Sequence, residues 1–253
     1  MPSLSAITAH LDSTLRINEL PDYSNAVNGL QLQNRSGQVT RIAAAVDATL
    51  PVVKKAVATR ADLLIVHHGM FWSGLQPWTG GTFERMGLAL ENNLAIYSAH
   101  LPLDAHPTLG NNACIANAMG LAASGGFLEY KGMSVGVMCE AGLALEDVVA
   151  RFTQALGGGR VHVCAGGPRI TRRIGISSGG GGSEIAAAAR AGVDTFITGE
   201  GPHWSYTLAE ELGINVLYGG HYATETFGVK ALAVHLERQF GLPWCFVDHP
   251  TGL

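Results

Sequence analysis

Charge is scarce in this chain. Only 14% of its 253 residues are Asp, Glu, Lys or Arg, and the 16 basic residues are outnumbered by 20 acidic ones, for a net charge of −4. Such a balance lacks the basic footprint of a nucleic-acid binder. Cysteine is equally sparse. Cys114, Cys139, Cys164 and Cys245 form no C-x-x-C pair and sit in apolar segments, which argues for buried, reduced thiols and against a disulfide framework. No apolar run approaches the ~18 residues of a membrane span. The first basic residue is Arg16, so no positively charged signal region is expected at the start, and the expected location is the cytoplasm. Neither G-x-x-x-x-G-K-[ST] nor a spaced G-x-G-x-x-G occurs, which leaves out the two commonest phosphate-cradling fingerprints.

Apolar residues are abundant by contrast. They make up 47% of the chain, with a mean hydropathy of +0.20, as in a compact protein with a sizeable core. A chain of 253 residues forms one large domain or two modest ones. So few charges are low for a small monomer's surface, and we expect a homo-oligomer that hides part of it.

Apolar runs alternate with helical periodicity along most of the chain. Leu4, Ile7, Leu11 and Leu15 recur at helical spacing behind Ser3 or Ser5 as a cap. Strands are expected at 42–46, 62–66, 94–98, 133–139, 161–164, 173–177, 195–198 and 215–218, with an edge strand at 244–247. Helices are expected at 83–90, 112–119, 145–156, 184–191, 203–212 and 225–240, and another opens at Thr49 and Pro51 with a cap and a first-turn proline. The reading is α/β: two domains with mixed, largely parallel sheets flanked by helices. The pattern breaks near Gly125-Gly126, so the boundary is placed there, giving domains 1–125 and 126–253.

The polar residues that break these runs fall at one kind of place. His67-His68 follows the run 62–66, His100 and Asp104 follow 94–98, and His221 follows 215–218 with Glu225 four residues on. Ligands of open α/β sheets bind at the carboxyl ends of strands. Three of these imidazoles, His67, His68 and His221, with the carboxylates of Asp104 and Glu225, are the donor set that a pair of divalent metal ions requires. Each residue has a plainer reading too. A histidine at a strand end usually just hydrogen-bonds, Asp104 suits a turn before Pro107, and Glu225 suits the first turn of a helix. Glycines beside each group (Gly69, Gly110, Gly219 and Gly220) let backbone approach closely. The turn Gly179–Gly182 ahead of a helix offers N–H groups to an anion, although close packing explains those glycines better. Trp72, Trp78 and Trp204 lie near the motifs, where they either stack on a ring or serve as packing.

Five segments carry a resemblance: Asn28-Gly29-Leu30-Gln31, Val66-His67-His68-Gly69, Ala99-His100-Leu101-Pro102-Leu103-Asp104-Ala105-His106-Pro107 with Gly110-Asn111-Asn112, Ile197-Thr198-Gly199-Glu200, and Gly220-His221-Tyr222-Ala223-Thr224-Glu225. In this order they resemble the NGG-interacting-factor-three-like family, also called GTP cyclohydrolase 1 type 2 homologues. Gly69-Met70-Phe71-Trp72 departs from it, since many members carry proline after the two histidines; that touches loop stiffness and not the ligands. The chain also lacks the extra central domain of longer members.

The resemblance implies a two-domain subunit in a ring-shaped homohexamer, with two metals per subunit between the domains. It implies that His68 and Asp104 hold one metal, that His67 and His221 hold the other, and that Glu225 bridges them. Imidazole and carboxylate donors suit Zn, Mn, Fe, Co or Ni. Two divalent ions against two carboxylates leave excess positive charge, which suits an anionic small-molecule substrate. His100 is the expected proton-transfer or Asp104-orienting residue. Glu200 and His203 are the candidate substrate-binding residues, although a helix-start carboxylate and a surface histidine describe them equally well. Two functions fit: a metal-dependent hydrolase of a nucleotide or phosphorylated small molecule, or a non-catalytic hexameric metal-binding or interaction protein. An open coordination position would favour the first and full coordination by protein the second.

Overall fold

The computed structural model describes residues 1–253. In chain order it begins with α1 (Leu4–Leu15), β1 (Gly29–Leu32), β2 (Ile42–Asp47), α2 (Leu50–Ala58), β3 (Leu63–His68), α3 (Gly80–Glu91), β4 (Ala95–Ser98) and α4 (Leu101–Asp104). It continues with α5 (Asn111–Ala118), β5 (Ala123–Tyr130), β6 (Met133–Ala144), α6 (Leu145–Ala155), β7 (His162–Ala165) and β8 (Ile170–Ser177). A 3-10 turn at Gly181–Glu184 then leads to α7 (Ile185–Arg190), β9 (Thr195–Thr198), α8 (His203–Leu212), β10 (Asn215–Tyr218), α9 (His221–Phe240) and β11 (Trp244–Phe246). No helix is long and apolar enough to cross a membrane.

The chain forms two compact units, and neither is a continuous stretch. Unit 1 comprises Met1–Leu103 and Gly228–His249; unit 2 comprises Asp104–Phe227 and Pro250–Leu253. This differs from the boundary expected near residue 125. It moves Asp104 out of the first unit and returns most of α9 and all of β11 to it. The physical reason is strand pairing: β11 adds in parallel to β2, Trp244 opposite Ile42 and Phe246 opposite Ala44. An expected edge strand thus closes the sheet of the other half, which a break in local pattern does not reveal.

Unit 1 holds a five-stranded sheet in the order β1-β4-β3-β2-β11. Only β1 runs antiparallel. Ala43, Ala45, Leu64, Val66 and Ile96 pack against Val52, Val53 and Ala56 of α2 and Met86 and Ala89 of α3. Helix α1 starts where Ser3 Oγ accepts the Ala6 N–H at 3.1 Å, and the four apolar residues at helical spacing are all buried. Its Asp12 accepts the Tyr97 hydroxyl of β4 at 2.8 Å.

Unit 2 holds a six-stranded sheet in the order β5-β6-β8-β9-β10-β7. This sheet is mixed, as expected, with β8-β9 and β9-β10 parallel and its other pairs antiparallel. The sheet opens with the β5-β6 hairpin, closed by Tyr130 opposite Met133. The turn residues Lys131 (φ 48°) and Gly132 (φ 86°) both have positive φ, the form that matches strand twist in a two-residue hairpin. Successive residues of β9 and β10 face opposite cores. Ile197 and Leu217 join Ile115, Val148 and Phe152, while Phe196 and Val216 join Ile185, Ala188 and Ala209. Burial on both faces is why these strands read as adjacent apolar pairs.

Candidate metal centre

In unit 1 the parallel strands β3 and β4 end at the same sheet edge. His67 and His68 are the last two residues of β3 itself, not loop residues beyond it. On one side β4 is exhausted, its last residue Ser98 lying opposite Val66. On the other, β2 reaches two residues further, with Asp47 opposite His68. Both histidines are buried, as is His100 just after β4. One ring nitrogen from each of the three lies within 4.8 Å of the others, a group able to hold a metal ion. Trp72 packs on this cluster, 4.4 Å from the His100 ring and 4.7 Å from His68, whereas Trp78 and Trp204 are largely exposed.

The second nitrogen of each imidazole is what defines its chemistry. His67 Nδ1 lies 2.9 Å from the Ala99 carbonyl, which only accepts, so Nδ1 carries the hydrogen and the neutral ring has its lone pair on Nε2. His68 Nδ1 lies 3.0 Å from Asp47 Oδ1, with the same outcome. His100 Nδ1 lies 2.9 Å from Asp22 Oδ1. Asp22 Oδ2 accepts Leu101 N–H at 2.9 Å and the Asn28 amide at 2.7 Å. Burial works to raise the Asp22 carboxyl, but His100, by hydrogen bond and charge, together with Asn28 and the Tyr23 N–H, holds it below the ordinary value. Asp22 and Asp47 escaped the sequence reading. Asp47 carried a usable signal, since it too ends an apolar strand at its carboxyl edge; Asp22 carried none.

In unit 2 the parallel strands β8, β9 and β10 likewise end together. Gly179 follows β8, Glu200 follows β9, and His221 begins α9 after β10. The helix therefore starts four residues earlier than expected, and one helical turn sets His221 beside Glu225. His221 Nε2 is 3.1 Å from Glu225 Oε1 and its Nδ1 is 2.8 Å from Glu200 Oε1. Burial works to lower the His221 pKa, yet hydrogen bonds and charge from Glu225 and Glu200 push it up to about 9. A cation taking up Nε2 must displace that proton. Asp104 is buried and accepts the Asn111 amide at 2.9 Å and Ser178 Oγ at 3.4 Å. His203 stands exposed at the first position of α8. The glycine turn is close-packed: a Cβ on Gly179 would strike Glu225 Oε1, and one on Gly181 would lie 2.8 Å from Thr198 Oγ1.

An acceptor on Nδ1 behind each of His67, His68, His100 and His221, with buried imidazole and carboxylate donors, fits a divalent cation. A sequence model of the family described as Duf34/NIF3 (NGG1p interacting factor 3) matches residues 2–251. The chain belongs to the Duf34/NIF3 family. A relative from Deinococcus radiodurans named GTP cyclohydrolase 1 type 2 homolog is 44% identical over 245 residues, 96% of this chain and 92% of its own length. Another of that name, from Archaeoglobus fulgidus, is 40% identical over 251 residues, covering 99% of this chain and all of its own. A crystal structure of a Thermus thermophilus protein is similar with a TM-score of 0.89 at 38% identity, covering 100% of both chains. The fold of two mixed sheets flanked by helices is thus the fold of solved relatives of this Duf34/NIF3 chain.

Proposed function

We propose that His67, His68, Asp104, His221 and Glu225 hold two divalent cations, and that the protein is a cytoplasmic metal-dependent hydrolase of a nucleotide or other phosphorylated small molecule. In this reading His68 and Asp104 would hold one ion, His67 and His221 the other, and Glu225 would serve both. The observation that carries it is the Nδ1 acceptor behind each histidine: Ala99 O, Asp47 and Glu200. Ligating histidines are held this way, by a carbonyl or carboxylate that fixes tautomer and ring orientation. Bound there, two divalent cations supply Lewis acidity and bring the pKa of water near neutrality. Zn, Mn, Fe, Co and Ni all suit the donors.

The remaining roles belong to the chain's own groups. Asp22 keeps the His100 ring fixed, and His100 moves a proton at Nε2. Glu200 orients His221, and with His203 it meets an anionic substrate. The low charge content supports assembly into a homo-oligomer, and the same proposal makes it a ring-shaped hexamer.

Elemental analysis of purified His67→Ala and Glu225→Ala proteins should show much less bound metal with the fold retained; unchanged metal content removes the ligand assignment. Asp47→Asn should weaken metal binding by roughly 10–100-fold in competition with a chelating dye, and wild-type affinity would deny Asp47 its role behind His68. A screen of metal-loaded protein against nucleotides and phosphoesters, with Glu225→Ala as control, tests catalysis. Silence with all five metals would leave a non-catalytic metal-binding hexamer as the better reading.

A further inference from the structure

Unit 2 contains a cavity of about 690 Å³ whose wall includes Glu200, the carboxylate that also binds His221. The volume is in the range that encloses a small organic ligand. Its lining divides by chemistry. One part is cationic or hydrogen-bond donating: Arg160, His162 and His203. Another is aromatic: Tyr206 and Tyr218.

The fold explains both parts. β7 is the edge strand of the six-stranded sheet, and Arg160, two residues before its first residue His162, lines the same cavity. Register then sets His162 opposite Tyr218 of β10. The His162 ring lies 5.6 Å from the Tyr206 ring and 6.0 Å from the Tyr218 ring. The Tyr218 hydroxyl is fixed by Ser205 Oγ at 2.7 Å, so this ring is held in place. Arg160 brings a permanent charge and a planar fork of N–H donors that matches oxyanion geometry.

We propose that this cavity binds a small aromatic phosphomonoester, its phosphate on Arg160, His162 and His203 and its flat ring against Tyr206 and Tyr218. Donors from three separate side chains suit a group with three terminal oxygens better than a planar carboxylate. Where the ring of the ligand carries an N–H or O–H, Glu200 accepts from it while its Oε1 stays on His221. As the substrate pocket of the hydrolase, the site rests on the function proposed above. As a binding site it does not, because all of its residues lie outside the proposed ligand set.

The test is calorimetric titration with phenyl phosphate, inorganic phosphate, benzoate and phenol. Phenyl phosphate should bind tightest of the four. Arg160→Ala should weaken it at least tenfold, the usual scale of a lost hydrogen bond to a charged group. Tyr206→Leu should weaken phenyl phosphate but not inorganic phosphate. Both effects should persist in a Glu225→Ala background, which removes direct capture of phosphate by metal. Binding that ignores Arg160, or that vanishes with Glu225→Ala, overturns the cavity assignment. Loss of turnover with cavity binding intact instead counts against the hydrolase reading alone.

Discussion

Gly179→Ala should strip the protein of metal, while Gly180→Ala, one residue on, should leave it close to wild type. Gly179 adopts φ +64°, and a Cβ there would run into Glu225 Oε1 and lie 3.2 Å from His221 Nε2. The left-handed conformation alone costs alanine roughly 1–2 kcal/mol. The backbone has no room to yield. Gly179 N–H donates to Thr224 Oγ1 at 3.0 Å. Its carbonyl accepts from Gly199 N–H at 3.0 Å and Glu200 N–H at 2.9 Å. The carboxylate must therefore turn away, which breaks its 3.1 Å contact with His221 and withdraws the proposed bridging oxygens. At Gly180 the nearest atom to a Cβ is His221 Cε1, at 3.8 Å, and φ is not positive, so a methyl fits. Metal content and thermal midpoint measured on both variants decide the matter. Gly179→Ala protein with full metal and an unshifted midpoint would mean that Glu225 is not a ligand.

That pair of residues also marks how far the sequence could be read. The expected elements 195–198, 203–212 and 215–218 match β9, α8 and β10 residue for residue; the strands hold apolar pairs, Phe196-Ile197 and Val216-Leu217, buried on both faces. β1 and β5 were not anticipated. β1 has four residues at a sheet edge with one fully buried position. In β5 only Phe127 is fully buried, so neither strand carries the alternation that betrays a half-buried strand. The Lys131-Gly132 turn was the available signal, and it is a weak one without flanking alternation. Candidate ligands were legible because they interrupt apolar runs at strand ends. Most of their partners were harder to read, even where, as at Asp47, the residue itself ends an apolar run. The Ala99 carbonyl has no side-chain identity, Asp22 lies 78 positions before the residue it holds, and only sheet register joins Asp47 to His68. The close packing preferred for Gly179–Gly182 is what the turn shows, although its contact with Glu225 could not be foreseen from spacing.

Phe152→Ala should be the most damaging single truncation in unit 2, costing about 3–5 kcal/mol in urea unfolding. The ring is completely buried between α6 and the β8, β9 and β10 residues Ile174, Ile197 and Leu217. Its edge rests on the backbone of Gly219, where a Cβ would overlap Phe152 Cζ and come within 2.8 Å of Leu156 Cδ1. This contact links the core to the site. Gly219 and Gly220 donate to the Thr198 and Gly199 carbonyls at 2.9 and 2.8 Å, and those two bonds set the backbone from which His221 departs. Gly219→Ala should accordingly destabilise the wild type and weaken metal binding, since either the ring or the start of α9 must move. In the Phe152→Ala background the same methyl enters a void, so the double variant should be more stable than the sum of the two losses by roughly 0.5–3 kcal/mol, the range seen for residues in contact. Strict additivity would show that the glycine is there for its backbone alone and that the ring does not brace the turn. Coupling in stability accompanied by recovered metal binding would show instead that the aromatic core of unit 2 fixes where His221 begins.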